Sequence, residues 1–186
     1  MNKLRTGGRS IFRKVYFSAS LLAALGVCAV LIIAANSAQA RENVAFSQSY
    51  PPGTIIIKQS ERRLYFTTGG GTAIRYPIAI GRSGRAWQGE TFVQGKYVEP
   101  AWSAPAVVRQ DHPNFPAVIP GGSPRNPMGA AALTLNLSEV AIHGTTQSMR
   151  KSVGTAASYG CIRMYNEDVV DLFHRVQVGT RVVAVP

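Results

Sequence analysis

Cysteine is scarce in this chain, with two residues in 186, Cys28 and Cys161. Beyond residue 40 only Cys161 remains, so no intrachain disulfide framework can hold the fold there. Acid is scarce as well: nine Asp and Glu stand against 20 Lys and Arg, a formal charge of +11. The basic excess is scattered, and no Lys/Arg run alternates with aromatics, so the usual nucleic-acid signature is missing. Three histidines show no three-ligand spacing with Cys161, which argues against a zinc site. There is no glycine-rich phosphate loop, no paired carboxylates spaced for general acid and base work, and no internal repeat. A basic chain of this kind suits an anionic polymer or surface, or simple solubility.

The long apolar run is confined to the start. Lys3, Arg5, Arg9, Arg13 and Lys14 precede an apolar stretch from Val15 to about Ala35, followed by Ala38-Gln39-Ala40. This reads as a signal peptide over 1–40, cleaved after Ala40. The run is also long enough for an uncleaved membrane anchor, roughly twenty residues. Either reading carries the rest of the chain out of the cytoplasm. Cys28 lies inside the run, and bulky Val27 before it makes a poor lipidation site.

Residues 41–52 are polar, end in Pro51-Pro52-Gly53, and read as a flexible linker. Residues 53–186 read as one domain. Thr54–Lys58, Arg63–Thr68 and Ala73–Ile80 are β-branched or alternating and predict a meander, with Pro77 at an edge or bulge. Short strands are expected at Glu90–Val93 and around Ala101-Trp102. Pro113–Met128 holds five prolines and reads as a loop lining or covering a cleft. Ala132–Leu137 alternates as a half-buried strand should, and Val140-Ala141-Ile142 leads into His143 at a strand end. Asn166 is placed to cap a helix over Glu167–Val176 whose apolar face is Val169, Leu172, Phe173 and Val176. A last strand covers Arg181–Val185.

The lone thiol sits in Ser158-Tyr159-Gly160-Cys161-Ile162-Arg163, with His143 eighteen positions upstream. A thiol attacks well as a thiolate, which requires a base, a positive charge or converging backbone N–H groups. His143 offers the base and Arg163 the charge. Gly160 permits a tight bend that turns the amides of residues 159–161 toward a developing oxyanion. Ser158 would shape the turn by hydrogen bonding, and Tyr159 would form an aromatic wall. The bland alternatives are an inert buried thiol, a satisfied strand-end histidine and a surface ion pair for Arg163. The chemistry that fits the set is acyl transfer through a thioester, which calls for no cofactor and no metal.

Ile142-His143-Gly144-Thr145, then Ser158-x-Gly160-Cys161-Ile162-Arg163-Met164 and Asn166-x-Asp168, resemble the catalytic signature of the L,D-transpeptidases of the YkuD or ErfK type. Ser60–Tyr65, Tyr76–Gly81, Pro100–Pro105 and Asn126–Gly129 resemble other segments of that family. The resemblance implies a mainly β fold, a sandwich or barrel with one C-terminal helix packed near the active site. It implies a periplasmic or cell-envelope enzyme that takes peptidoglycan stem peptides as donors. The acceptor would be another stem peptide or an envelope protein, with membrane contact only through an uncleaved leader. By motif position Cys161 is the nucleophile and His143 the base. Tyr159, Gly160 and Arg163 line the substrate or oxyanion site, and Gly144 and Ser158 support it. Two departures stand out. Tyr159 replaces the family's usual histidine, and Ala86-Trp87-Gln88-Gly89 replaces its Thr-Pro-x-Gly loop. Three other readings stay open: a non-catalytic wall-binding module, an L,D-carboxypeptidase using water as acceptor, and a sortase, whose Thr-x-Thr-Cys pattern is missing.

Overall fold

The computed structural model describes residues 41–47 and 49–186; the expected signal peptide lies outside them. Among the described residues thirteen strands alternate with two short α-helices and a 3₁₀ turn. The strands are β1 (Glu42–Ala45), β2 (Ile55–Lys58), β3 (Arg63–Gly69), β4 (Thr72–Pro77), β5 (Ile80–Gly81), β6 (Gly89–Val98), β7 (Trp102–Ser103), β8 (Val118–Ile119), β9 (Ala131–Leu135), β10 (Ala141–His143), β11 (Ala156–Ser158), β12 (Ile162–Arg163) and β13 (Arg181–Val185). The α-helices are α1 (Ala106–Asp111) and α2 (Asn166–Arg175), and the 3₁₀ helix is Gln147–Ser152. Nine strands form one sheet in the order β1-β4-β3-β2-β13-β6-β9-β10-β12, and two strand pairs, β11-β5 and β7-β8, stand beside it. The fold is mainly β, with α2 against β9 and β10. Among the described residues no helix is long and apolar enough to cross a membrane.

The sheet is held by apolar residues on alternating faces. Ile55 and Ile57 join the main core with Leu64, Tyr76, Leu133 and Leu172, while Ile56 packs on the other face with Tyr65 and Phe46. All three isoleucines are fully buried, so β2 reads as a continuous apolar run rather than an alternation. Each such side chain contributes on the order of 1.5–3 kcal/mol. Within the stretch 41–52, expected to be a flexible linker, Glu42–Ala45 is a strand. Glu42–Ala45 pairs antiparallel with β4, and Phe46 closes the second face. Pro77 ends β4 opposite Arg63, past the reach of β1, which pairs with β4 only over Thr72–Arg75; β4 is interior to the sheet, and Pro77 lies at its locally open end.

Asn166 does not cap α2 with its side chain. The cap position is Tyr165, without a side-chain bond. Asn166 Oδ1 instead accepts from Thr145 N at 2.9 Å and Ala130 N at 3.2 Å. It thereby ties the helix start to the segment just after His143. The Tyr76 hydroxyl donates to Asp171 Oδ2 at 2.6 Å and fixes the same helix to β4.

Candidate active site

The parallel pairing of β10 with β12 sets Ile142 opposite Ile162 and His143 opposite Arg163. Both isoleucines are in the core. Side chains alternate along a strand, so His143 and Arg163 face away from that core on a common side. Cys161, two residues before Arg163, shares it. His143, Cys161 and Arg163 indeed line one cleft of about 80 Å³, together with Ser158, Tyr159, Glu139 and other side chains.

The turn that presents the sulfur is held from three sides. Ser158 Oγ donates to the Cys161 carbonyl at 2.6 Å and accepts from Gly160 N at 3.1 Å. Trp87 Nε1 donates to the Gly160 carbonyl at 3.1 Å. Gly160 has φ 129°, a conformation that side chains rarely adopt. The Gly160 amide is thus committed to Ser158 Oγ. This corrects the expectation that the amides of all three residues, 159 to 161, face an oxyanion.

His143 is 4% exposed, and its Nδ1 lies 2.8 Å from the Gly144 carbonyl. A carbonyl only accepts, so Nδ1 carries the proton and Nε2 keeps its lone pair in the neutral ring. Burial pushes the imidazole down to about 4. The Arg163 charge adds to that, while the carbonyls of Gly144 and Pro127 pull the other way. Gly144 itself has no room for a Cβ, which would collide with Asn166 Oδ1.

Cys161 is partly exposed and is not in a disulfide. Burial raises its thiol above the ordinary value, and Glu139 adds to the rise. The Ala141 backbone and the Arg163 charge oppose it. Its Sγ donates to the Glu139 carbonyl at 3.5 Å. At neutral pH the pair therefore rests as thiol and imidazole rather than as thiolate and imidazolium. Arg163 is 7% exposed, and its Nη1 donates to Ser152 Oγ at 2.7 Å. Among the described residues no group of His, Cys, Asp and Glu is placed to hold a metal ion.

The profile of the YkuD family, described as the L,D-transpeptidase catalytic domain, matches residues 52–183. The chain belongs to the L,D-transpeptidase catalytic domain family. It is 39% identical over 137 residues to the probable L,D-transpeptidase YbiS of Escherichia coli (strain K12), covering 69% of this chain and 43% of that protein. It is 37% identical to the probable L,D-transpeptidase ErfK/SrfK of Salmonella typhimurium over 69% of this chain and 42% of that one. The chain thus spans less than half the length of these relatives. An L,D-transpeptidase structure from Mycobacterium smegmatis superposes with a TM-score of 0.57 at 14% identity, over 72% of this chain and 58% of that one, and shares the fold.

Several groups at this cleft carried no motif in the sequence. Glu139 lies in the β9–β10 turn at φ 59° and turns its carbonyl to the thiol. Trp87 comes from the loop that departs from the family pattern and pins the cysteine turn. Asp111 and Arg82 hold Tyr159 from outside the cleft. A tryptophan in an otherwise small, polar loop was the one available signal. The Pro113–Met128 segment does line cavities beside the cleft, but it includes β8, paired with β7.

Proposed function

We propose that this chain is a cysteine acyltransferase of the cell envelope that takes peptidoglycan stem peptides as acyl donors and an amine of a second stem peptide as acceptor. Supporting this reading above all is the placement of Cys161 and His143 on one cleft, with Nδ1 occupied by Gly144 and Nε2 left to take a proton. In the first half-reaction Sγ attacks the donor carbonyl while its proton passes to His143. Arg163 favours the negative charge that develops. Collapse breaks the C–N bond, the leaving amine takes the proton from His143, and a thioester remains. An acceptor amine then attacks the thioester, loses a proton to His143 and restores the thiol.

Transfer to an amine is favoured over hydrolysis by a second opening. Cys161 also borders a wider groove of about 730 Å³ lined by Gln94, Tyr97, Leu137 and Glu139. An acceptor can approach the sulfur from there while the acyl group holds the first cleft. The test is incubation of the purified protein with a disaccharide-tetrapeptide, followed by mass spectrometry. Cross-linked dimer with released D-alanine, lost in Cys161→Ala, supports the transferase. Tripeptide monomer alone points to a carboxypeptidase, and an unchanged substrate points to a binding module.

A further inference from the structure

The segment Asn126–Gly129 has two sides. Pro127 and Met128 line the cysteine cleft, while Asn126 and Gly129 line a separate pocket of about 210 Å³. Among the described residues the pocket and the cleft share no lining residue. The pocket is also bordered by Glu99, Ser123, Thr145, Thr146, Gln147 and Asn166, and no basic or aromatic side chain is among the described residues that line it. Thr145 is 1% exposed, and its hydroxyl has no partner among the described residues. A buried hydroxyl without a partner is costly, so its presence beside a cavity points to a bond supplied from the cavity. Asn166 gives its Oδ1 to two backbone amides, which leaves its Nδ2 to donate. Glu99 is exposed and sits at φ 43°, a conformation uncommon outside glycine. Its carboxylate thus borders a pocket that offers it no cation.

We propose that this pocket binds a neutral sugar ring through its hydroxyls, at a site apart from the cysteine cleft. A sugar hydroxyl both donates and accepts, so one such group satisfies Thr145 whichever way the threonine proton turns. A second accepts from Asn166 Nδ2, and others donate to the Glu99 oxygens. Other ligand classes match less of this lining. An anion meets the Glu99 carboxylate with no cation to offset it. An ammonium ion pairs with Glu99 but has no acceptor for the Asn166 amide. An apolar group leaves all three unmatched. The volume is below the roughly 300–1,000 Å³ of pockets for drug-sized ligands and suits a single ring. Binding here is non-covalent and does not depend on the acyltransferase reading. A ligand that carries both a sugar and a peptide can engage both sites, because consecutive residues of one segment border the two.

The test is NMR titration of the protein with the methyl glycoside of N-acetylglucosamine, a single neutral ring without peptide. We expect saturable shifts at the amides of Gly122, Thr145, Thr146 and Gln147, with Tyr159 and Cys161 unmoved. Thr145→Val keeps the side-chain shape and removes the unpaired hydroxyl, so it should fold at least as stably as the wild type and bind the glycoside roughly tenfold more weakly. Glu99→Gln should weaken binding in the same direction. No saturable shift, shifts confined to the cysteine cleft, or unchanged affinity in both variants overturns the site. Tighter binding of the protonated methyl glucosaminide than of the neutral glycoside overturns the neutral class and points to an ammonium site. A second arm separates the sources of the sugar by titrating Cys161→Ala with a stem tetrapeptide, bare or carrying its disaccharide. Pocket shifts with the disaccharide form alone support the site and assign it to the glycan that bears the peptide. Pocket shifts with the glycoside but with neither peptide support it as a site for a free sugar, and pocket shifts with the bare peptide overturn it. None of these readouts requires turnover, so the outcome is separate from that of the transferase test.

Discussion

The Tyr159 hydroxyl donates to Asp111 Oδ2 at 2.6 Å and so joins the cysteine turn to the end of α1. Arg82 completes a clasp, its guanidinium 4.1 Å from the Tyr159 ring centre and 2.8 Å from the same carboxylate. The Asp111 carboxyl is held below its ordinary value, by the Tyr159 hydroxyl first and Arg82 next. The Tyr159 phenol is raised by that same bond. Surface groups of this kind add little stability, but they fix an orientation. Tyr159 borders both the cysteine cleft and a second cavity beside it, so the clasp sets the wall between them.

Releasing that wall should alter binding more than chemistry. Asp111→Ala is expected to leave the thermal midpoint nearly unchanged and to raise KM for the peptide donor severalfold, with kcat retained. Amide exchange should quicken in α1. Tyr159→Phe should act in the same direction but more weakly, because it removes only the hydroxyl's bond while Asp111→Ala also removes the Arg82 ion pair, and the double variant should match Asp111→Ala. Additive effects would show that the two side chains act separately.

Stability between pH 6.5 and 4 combines two opposed groups. His143 is pushed from 6.5 down to about 4, so its contribution is intact above 6.5 and lost as the pH falls toward 4. Asp168 is raised by burial from 3.8 to about 6, so its contribution is full below 3.8 and lost as the pH rises through 6. Each shift is worth on the order of 3 kcal/mol at about 1.4 kcal/mol per unit. The wild-type urea midpoint should therefore change little across the window. In Asp168→Asn it should fall steeply below pH 6.5, and in His143→Gln it should rise as the pH drops. A flat profile for Asp168→Asn would contradict the placement of His143 as a buried neutral ring.

The sheet was largely legible because its strands write their burial into the sequence. Ile55–Ile57, Ala131–Leu135 and the β-branched Arg181–Val185 lie within a residue or two of their expected bounds, although Ala131–Leu135 is buried nearly throughout rather than alternating. Glu42–Ala45 was not legible, since its burial pattern is mostly exposed and its order comes from pairing with a distant strand. The six residues of α1 are too few to show a period, and a proline-rich neighbourhood masks them. Cys161, His143 and Arg163 could be named from their chemistry. Their common side could not, because it depends on the β10–β12 register. Glu139 meets the thiol through its carbonyl and Asp111 acts through Tyr159, so neither had a motif to follow.

The resting thiol makes a kinetic prediction. Burial is the largest influence on Cys161 and raises its pKa, so the thiolate is a minor species at neutral pH. Alkylation by iodoacetamide should accelerate about tenfold per pH unit from 6 to 9, following the thiolate fraction. Arg163→Gln should slow it further, since the guanidinium favours the thiolate. A plateau of reactivity between pH 5 and 7 would instead reveal a preformed thiolate–imidazolium pair.

Gly144 and Asn166 provide the last test, because they meet at the support of His143. A Cβ at Gly144 would strike Asn166 Oδ1, which in turn accepts from the amides of Thr145 and Ala130. Gly144→Ala should destabilise by about 1–3 kcal/mol through overpacking. Asn166→Ala should cost a similar ~1–3 kcal/mol by leaving two amides without their acceptor. In the double variant the clash with Oδ1 is gone and only the 3.1 Å approaches to Ala130 N and Met128 O remain, so its cost should fall below the sum, with an interaction energy of roughly 1 kcal/mol or more by urea unfolding. Strict additivity would mean that the backbone atoms Ala130 N and Met128 O, each 3.1 Å from a Cβ at Gly144, and not Asn166, set the cost. The acylation rate of each variant then reports whether the Gly144 carbonyl still holds Nδ1, because a ring free to turn presents Nε2 to the sulfur only part of the time.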